Sequence, residues 1–279
     1  MSNPSFSLSA PWERLRSAGA LVHCITNYVT VTDCANVLLA CGASPVMADE
    51  ELEAAEMANL ADALCLNLGT LNQRTVRSME LAADAAARKG IPILLDPVGA
   101  GATRFRTETA LHLLKAYPVA AIRCNYSELM ALCSGRSGTR GVDAAIGDAL
   151  NRENLKTVLP LFQEFSRESG ALLSVSGAMD LVTEGTRTFL GFNGRPRMTR
   201  ITGSGCMLSA VTAGCLGSAP SDRFAAACAA VSAFGVAGEI AEDRLAGLDG
   251  MGSFHTYFLD AVGALTGAEL ERRSRYELL

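Results

Sequence analysis

Short, continuously apolar runs recur along the chain, separated by longer stretches in which apolar positions return every three or four residues. The runs LVHCI (21–25), SPVM (44–47), ALCLNLG (63–69), IPILLD (91–96), VAAIRCN (119–125) and ALLSVS (171–176) do not alternate with polar residues. That is the pattern of strands buried on both faces. Helical periodicity between them predicts helices over 29–41, 51–60, 72–89, 107–116, 126–133 and 153–169. Strand, helix, strand repeated this often specifies an α/β fold, a mostly parallel central sheet with right-handed crossovers and helices on both faces. Beyond two more short strands, 181–184 and 187–192, the pattern turns helical over 205–217, 221–245 and 252–266. The Gly- and Ser-rich stretch 134–148 reads as a surface loop, and the last few residues are expected to fray. No internal linker or repeat interrupts the pattern, so residues 1–279 read as a single domain.

Composition narrows the function. The chain is 49% hydrophobic, yet no apolar run approaches the roughly 20 residues that span a bilayer. Alanine and glycine inflate the hydropathy, which indicates a dense core. A net charge of −5 without a basic cluster argues against nucleic acid or an anionic membrane as partner. Small molecules and copies of the chain itself remain. The opening residues MSNPSFSLSAPWERL lack the layout of a signal peptide, which implies a cytoplasmic protein whose nine cysteines are free thiols. Cys34, Cys41 and Cys228 lie on apolar stretches and read as small core residues. With no C-x-x-C pair and only His23, His112 and His255, a structural zinc site is not expected.

Ligands of open parallel sheets bind at the carboxyl ends of the strands, and these ends are polar or glycine here. His23 to Asn27 closes the first strand, Asn67 and Gly69 the third; Asp96 opens DPVGAGAT, Asn125 opens NYSE, and Ser176 and Gly177 follow a later strand. TGSGC (202–206) leads directly into a helix. Each alone is as readily a cap or turn residue; gathered at one sheet edge they mark a site. Two glycines at a helix mouth let backbone N–H groups approach an anion, so TGSGC suits a phosphate, although a tightly packed glycine turn has the same sequence. It is not a Walker A loop, since the only lysines are Lys89, Lys115 and Lys156, and no strand-linked G-x-G-x-x-G supports a dinucleotide fold. Magnesium, arginine and backbone amides must then neutralise a nucleotide's phosphates. Asp96 and Glu128 are the candidate magnesium carboxylates. Arg123 suits phosphate oxygens or, equally, a strand-end salt bridge. These features together suit a magnesium-assisted site for a nucleotide's phosphates.

The stretches LVHCITNYVT (21–30), CGASPVMA (41–48), LNLGTL (66–71), ILLDPVGAGATRFRTE (93–108), AIRCNYSEL (121–129) and TRITGSGCMLSA (199–210) resemble the hydroxyethylthiazole kinases of thiamine salvage, within the ribokinase-like superfamily. The resemblance implies a ribokinase-like three-layer fold and phosphorylation of 4-methyl-5-(2-hydroxyethyl)thiazole by ATP with Mg2+. It implies Asn27, Met47 and Gly203 at the thiazole, Arg123, Asn125 and Ser176 at ATP, and Asp96 and Glu128 in the metal network. Gly203, Ser204, Gly205 and Cys206 would surround the transferring phosphate, with Cys206 either as base or orienting the hydroxyl. A helix N-terminus is expected to lower the pKa of that thiol. The resemblance also implies a homotrimer with the thiazole site between subunits. Ser176 departs from the family's usual threonine but keeps the hydroxyl, and 134–148 matches only weakly. Kinases of another small alcohol, of the hydroxymethylpyrimidine or pyridoxal type, are the neighbouring alternative. A transferase using Cys206 as a nucleophile and a non-catalytic nucleotide-binding protein are the more distant ones.

Overall fold

A computed structural model describes residues 6–137 and 149–279. Helix α1 (Ser9–Ala18) precedes β1 (Leu21–Ile25), α2 (Val31–Ala40), β2 (Ser44–Val46), α3 (Ala54–Leu60), β3 (Ala63–Asn67), α4 (Gln73–Lys89), β4 (Ile93–Asp96), α5 (Arg104–Ala116), β5 (Val119–Asn125) and α6 (Tyr126–Ser137). Then come α7 (Arg152–Ser169), β6 (Leu172–Ser176), β7 (Asp180–Glu184), β8 (Arg187–Gly191), a 3-10 turn (Pro196–Arg200), α8 (Ser204–Ser218), α9 (Arg223–Arg244), α10 (Met251–Ala264), α11 (Gly267–Arg273) and β9 (Tyr276–Leu278).

The strands form one nine-stranded sheet in the order β2-β1-β3-β4-β5-β6-β7-β8-β9. Pairing is parallel from β2 through β6 and antiparallel from β6 through β9. The fully buried strands Ala63–Asn67 and Ile93–Asp96 lie in its interior, third and fourth in that order, as the unbroken apolar runs require. One face carries α8 and α9 with Trp12, Leu38, Phe234 and Phe258 in its core. The other carries α4 and α7 with Met79, Leu113 and Phe162. The three-layer α/β arrangement expected from the sequence, a mostly parallel sheet between two helical layers, is therefore present.

Some expectations need correction. The first described element is a helix that the apolar pattern did not suggest; half of α1 is polar, and it is anchored by the buried Trp12, whose Nε1 donates to Leu265 O at 2.8 Å. The C-terminus does not fray: β9 pairs antiparallel with β8, and Tyr276 stacks on Phe189 with ring centroids 5.1 Å apart. Helix α6 continues to Ser137, so the start of the expected loop is helical, and 138–148 lies outside the described residues. Helix α9 is long and apolar enough, by length and composition, to cross a membrane. Its surface is buried from Phe224 to Gly238, as a central core helix requires.

Candidate active site

The sheet reverses its direction of growth at β1, which pairs with β2 on one side and β3 on the other. Crevices open at the carboxyl ends of strands at such switch points. Asn27 follows β1 there, and Asn67 and Asp96 stand in register as the last residues of β3 and β4. Arg123 and Ser176 come from β5 and β6. Opposite them, Gly203 at φ +86° turns the chain into α8, so that Cys206 sits in the helix's first turn. Gly203 is required by its conformation and by space, whereas Gly205 leaves room for the Arg123 guanidinium. A Cβ on Gly203 would lie 2.7 Å from Thr30 Cγ2, and one on Gly205 would lie 2.6 Å from Arg123 Nη1.

Asn67 is the hub of the polar network. Its Nδ2 donates to Asp96 Oδ2 at 2.6 Å and lies 3.3 Å from Cys206 Sγ, while its Oδ1 accepts from Asn27 Nδ2 at 3.0 Å and Gly69 N at 2.9 Å. Asn27 Nδ2 also donates to Cys206 Sγ at 3.3 Å, and Asn27 Oδ1 accepts from Thr30 N at 3.1 Å. The sulfur thus receives two amide donors. Ser209, one turn into α8, donates to Asp96 Oδ2 at 2.7 Å, and Arg123 Nη1 stands 3.9 Å from that oxygen. Arg123 Nη2 donates to Ser176 Oγ at 2.5 Å.

Burial dominates the electrostatics. It raises the Asp96 pKa from 3.8 to about 6 against the opposing pull of Arg123 and Ser209. It also raises Cys206, with the charge of Asp96 adding to the effect and hydrogen bonds from Thr30, Asn27 and Asn67 opposing it. The thiol lowered by its helix terminus, expected from sequence, is not found; burial, with the Asp96 carboxylate adding to it, raises the pKa instead. The remaining cysteines are buried.

Asp96 Oδ1 is buried without a hydrogen-bond partner. An orphaned carboxylate oxygen of this kind fits a cation or its water. Glu128 is committed differently: Oε1 accepts from Gly99 N at 2.8 Å and Oε2 from Asn125 N at 2.9 Å, tying the turn after β4 to the start of α6. Among the described residues no group of three or more His, Cys, Asp or Glu forms a metal cage; magnesium, which typically takes one or two protein carboxylates plus substrate phosphates, does not need one.

One cavity opens at the mouth of α8 and a second lies beyond the end of β1. The larger, about 540 Å³, has Arg123, Ser176, Ser204 and Gly205 among its polar lining and Leu208, Val231 and Phe234 among its apolar lining. Asp180 also lines it; burial pushes this carboxyl up to about 7, and sequence reasoning did not single it out. The smaller, about 220 Å³, is lined by Thr26, Tyr28, Val31, Met47 and Thr70 among others. Cys206 beside Gly205 and Asn27 between Thr26 and Tyr28 join them through their hydrogen bond. Asn125 lines neither cavity; its Oδ1 accepts from Glu128 N and Ser127 Oγ at 2.9 Å each, as a helix cap does.

The sequence profile described as the hydroxyethylthiazole kinase family matches residues 12–268. The chain belongs to that family. The hydroxyethylthiazole kinase of Clostridium acetobutylicum is 42% identical over 265 residues, covering 95% of this chain and 97% of that one. The solved hydroxyethylthiazole kinase protein of Pyrococcus horikoshii OT3 is 35% identical, with a TM-score of 0.86 and 98% of each chain covered. A ribokinase-like superfamily protein from Enterococcus faecalis shares the fold alone, at 13% identity and a TM-score of 0.58, covering 94% of this chain and 92% of that one. The matched region of the hydroxyethylthiazole kinase family includes Asn27, Asn67, Asp96, Arg123 and Cys206. Asn67 and Ser209 are the residues of this network that had not been assigned a role. A strand-end Asn ahead of Gly69 offered a signal for the first, whereas nothing in the local sequence distinguishes Ser209 from a core serine.

Proposed function

We propose that this protein transfers the γ-phosphoryl group of ATP to the hydroxyl of 4-methyl-5-(2-hydroxyethyl)thiazole. The observation that carries this is the larger cavity at the mouth of α8, lined by Arg123, Ser176, Ser204 and Gly205, with a smaller cavity beside Met47 that carries only Asp49 and Arg74 as charged lining. In this arrangement the nucleobase packs on Val231 and Phe234, and the phosphates run toward Arg123, Ser176 and the N–H groups of Ser204 and Gly205 at the positive end of α8. The thiazole lies beside Met47, with its hydroxyl directed to Asn27 and Cys206.

Magnesium bound with the nucleotide supplies charge neutralisation of the phosphate oxygens. Asp96 would hold it through Oδ1, while Asn67 and Ser209 fix the orientation of the carboxylate through Oδ2. Glu128 serves the metal network indirectly by shaping the turn that follows Asp96. Phosphoryl transfer proceeds through a loose transition state in which positioning and charge stabilisation supply most of the rate. A neutral Cys206 whose sulfur accepts two amide protons orients the alcohol; it is a poor base.

The proposal extends to assembly and setting. Tyr28 at 78%, Val29 at 57% and Leu52 at 86% exposure lie in the segments flanking the small cavity. Covering them with another copy of the chain fits a homotrimer whose thiazole site lies between subunits. The chain would act as a single cytoplasmic kinase domain.

The test is magnesium-dependent ADP release by the purified protein with hydroxyethylthiazole, beside hydroxymethylpyrimidine, pyridoxal and ribose. Turnover with the thiazole alone is expected. Preference for another alcohol overturns the acceptor, and no ADP with any acceptor overturns the kinase reading.

A further inference from the structure

The segment 192–196 forms one wall of the larger cavity through Asn193, Gly194, Arg195 and Pro196. It lies directly on α9: a Cβ on Gly235 would meet Asn193 Cβ at 2.6 Å, and one on Gly238 would meet the Met198 side chain. It is also held from behind. Glu239, only 5% exposed, accepts from Gly194 N at 3.0 Å, Asn193 Nδ2 at 3.2 Å and Arg275 Nη2 at 2.6 Å. Arg275 Nη1 reaches its second oxygen at 3.2 Å, closing a bidentate pair. Arg275 Nη2 further donates to Phe192 O at 2.9 Å, its backbone N–H donates to Asn193 Oδ1 at 2.7 Å, and its carbonyl accepts from Phe192 N at 2.9 Å. Burial disfavours an ionised Glu239, yet these bonds outweigh it and hold its pKa below the ordinary value. A buried carboxylate satisfied by so many donors is a rigid anchor.

Arg275 does not line the cavity; it belongs to the link between α11 and β9. We propose that Arg275 is a positioning residue for the nucleotide, setting the Asn193–Gly194 wall through Glu239 so that the C-terminal segment determines ATP affinity. This rests on the larger cavity being the ATP site. The bonds fix both the backbone and the side chain of Asn193, so loss of the fork leaves Glu239 buried with half its partners and lets the wall relax away from α9.

The experiment is calorimetric titration of ATP, with steady-state kinetics, on the wild type, Arg275→Ala and Arg275→Lys. Arg275→Ala is expected to weaken the ATP Kd and raise its KM about tenfold, the loss of one charge-assisted contact's worth of order, with the KM for the alcohol unchanged and kcat at saturating ATP within about twofold. Arg275→Lys, which keeps the charge without the fork, should fall between the two. A wild type that binds no ATP overturns the cavity assignment and this role with it. A wild type that binds ATP, with an Arg275→Ala protein that binds it equally or loses kcat and both KM values together, overturns the positioning role alone.

Discussion

Asn67 donates its side-chain amide to Asp96 Oδ2 at 2.6 Å, across the register that pairs the last residues of β3 and β4. The same nitrogen lies 3.3 Å from Cys206 Sγ. One amide therefore couples the orientation of the buried carboxylate to that of the thiol. Asn67→Ala should lower kcat about tenfold to hundredfold, the effect of one lost charge-assisted hydrogen bond on a positioned group, and raise the magnesium concentration needed for half-maximal rate. Steady-state kinetics across a magnesium series checks both; an unchanged kcat removes Asn67 from the transfer step.

Asp96 should give the activity an acid limb. Its pKa is raised from 3.8 to about 6 by burial, and magnesium needs the ionised form, so the rate is expected to fall as the pH drops through about 6. The linkage to stability has the opposite sense. The folded state binds this proton more tightly than the unfolded state does, so the contribution is fully present below pH 3.8 and is lost as the pH rises through about 6. Above that, the buried charge costs about 3 kcal/mol. Asp96→Asn should thus be nearly inactive, yet at least as stable as the wild type at pH 8 in urea. A wild-type rate that stays flat from pH 5 to 8 counts against it.

Cys206→Asp should remain active, because orientation rather than proton abstraction is the thiol's task and a carboxylate offers the same two amides an acceptor. Its kcat is expected to rise with pH as the new carboxyl, next to Asp96, ionises late. Complete loss of turnover in a folded Cys206→Asp protein would falsify the orienting role.

Glu128→Ala removes the acceptor for two backbone N–H groups, Gly99 N and Asn125 N. A loss of about 2–3 kcal/mol in unfolding free energy follows, together with a raised magnesium requirement as the turn after Asp96 loosens. A variant with wild-type urea midpoint and magnesium titration would show that neither role is real.

Gly205→Ala places a methyl 2.6 Å from Arg123 Nη1. Arg123 must move, so the ATP KM should rise at least tenfold while the fold persists. Circular dichroism and kinetics together decide this, and an unaltered KM would leave Arg123 without a part in nucleotide binding.

Periodicity in the amino-acid sequence was sufficient for the α/β alternation from β1 to β8, since a strand buried on both faces must be continuously apolar and a surface helix must be amphipathic. It was also sufficient for the strand-end residues Asn27, Asp96 and Arg123 and the glycine turn at 203–205, because backbone chemistry at sheet edges is local. Tertiary structure alone decided the rest. Helix α1 and strand β9 are held by distant partners, Leu265 and β8, that no local pattern reveals. Ser209 reads as a core serine until α8 is laid against β4 and its hydroxyl meets Asp96. The same packing reversed the expectation for Cys206: a helix terminus favours a thiolate, but here burial and the neighbouring Asp96 carboxylate outweigh it, even with amide donors on the sulfur. Which charges share one buried volume is a property of the assembled sheet, and it sets the chemistry that the sequence could only locate.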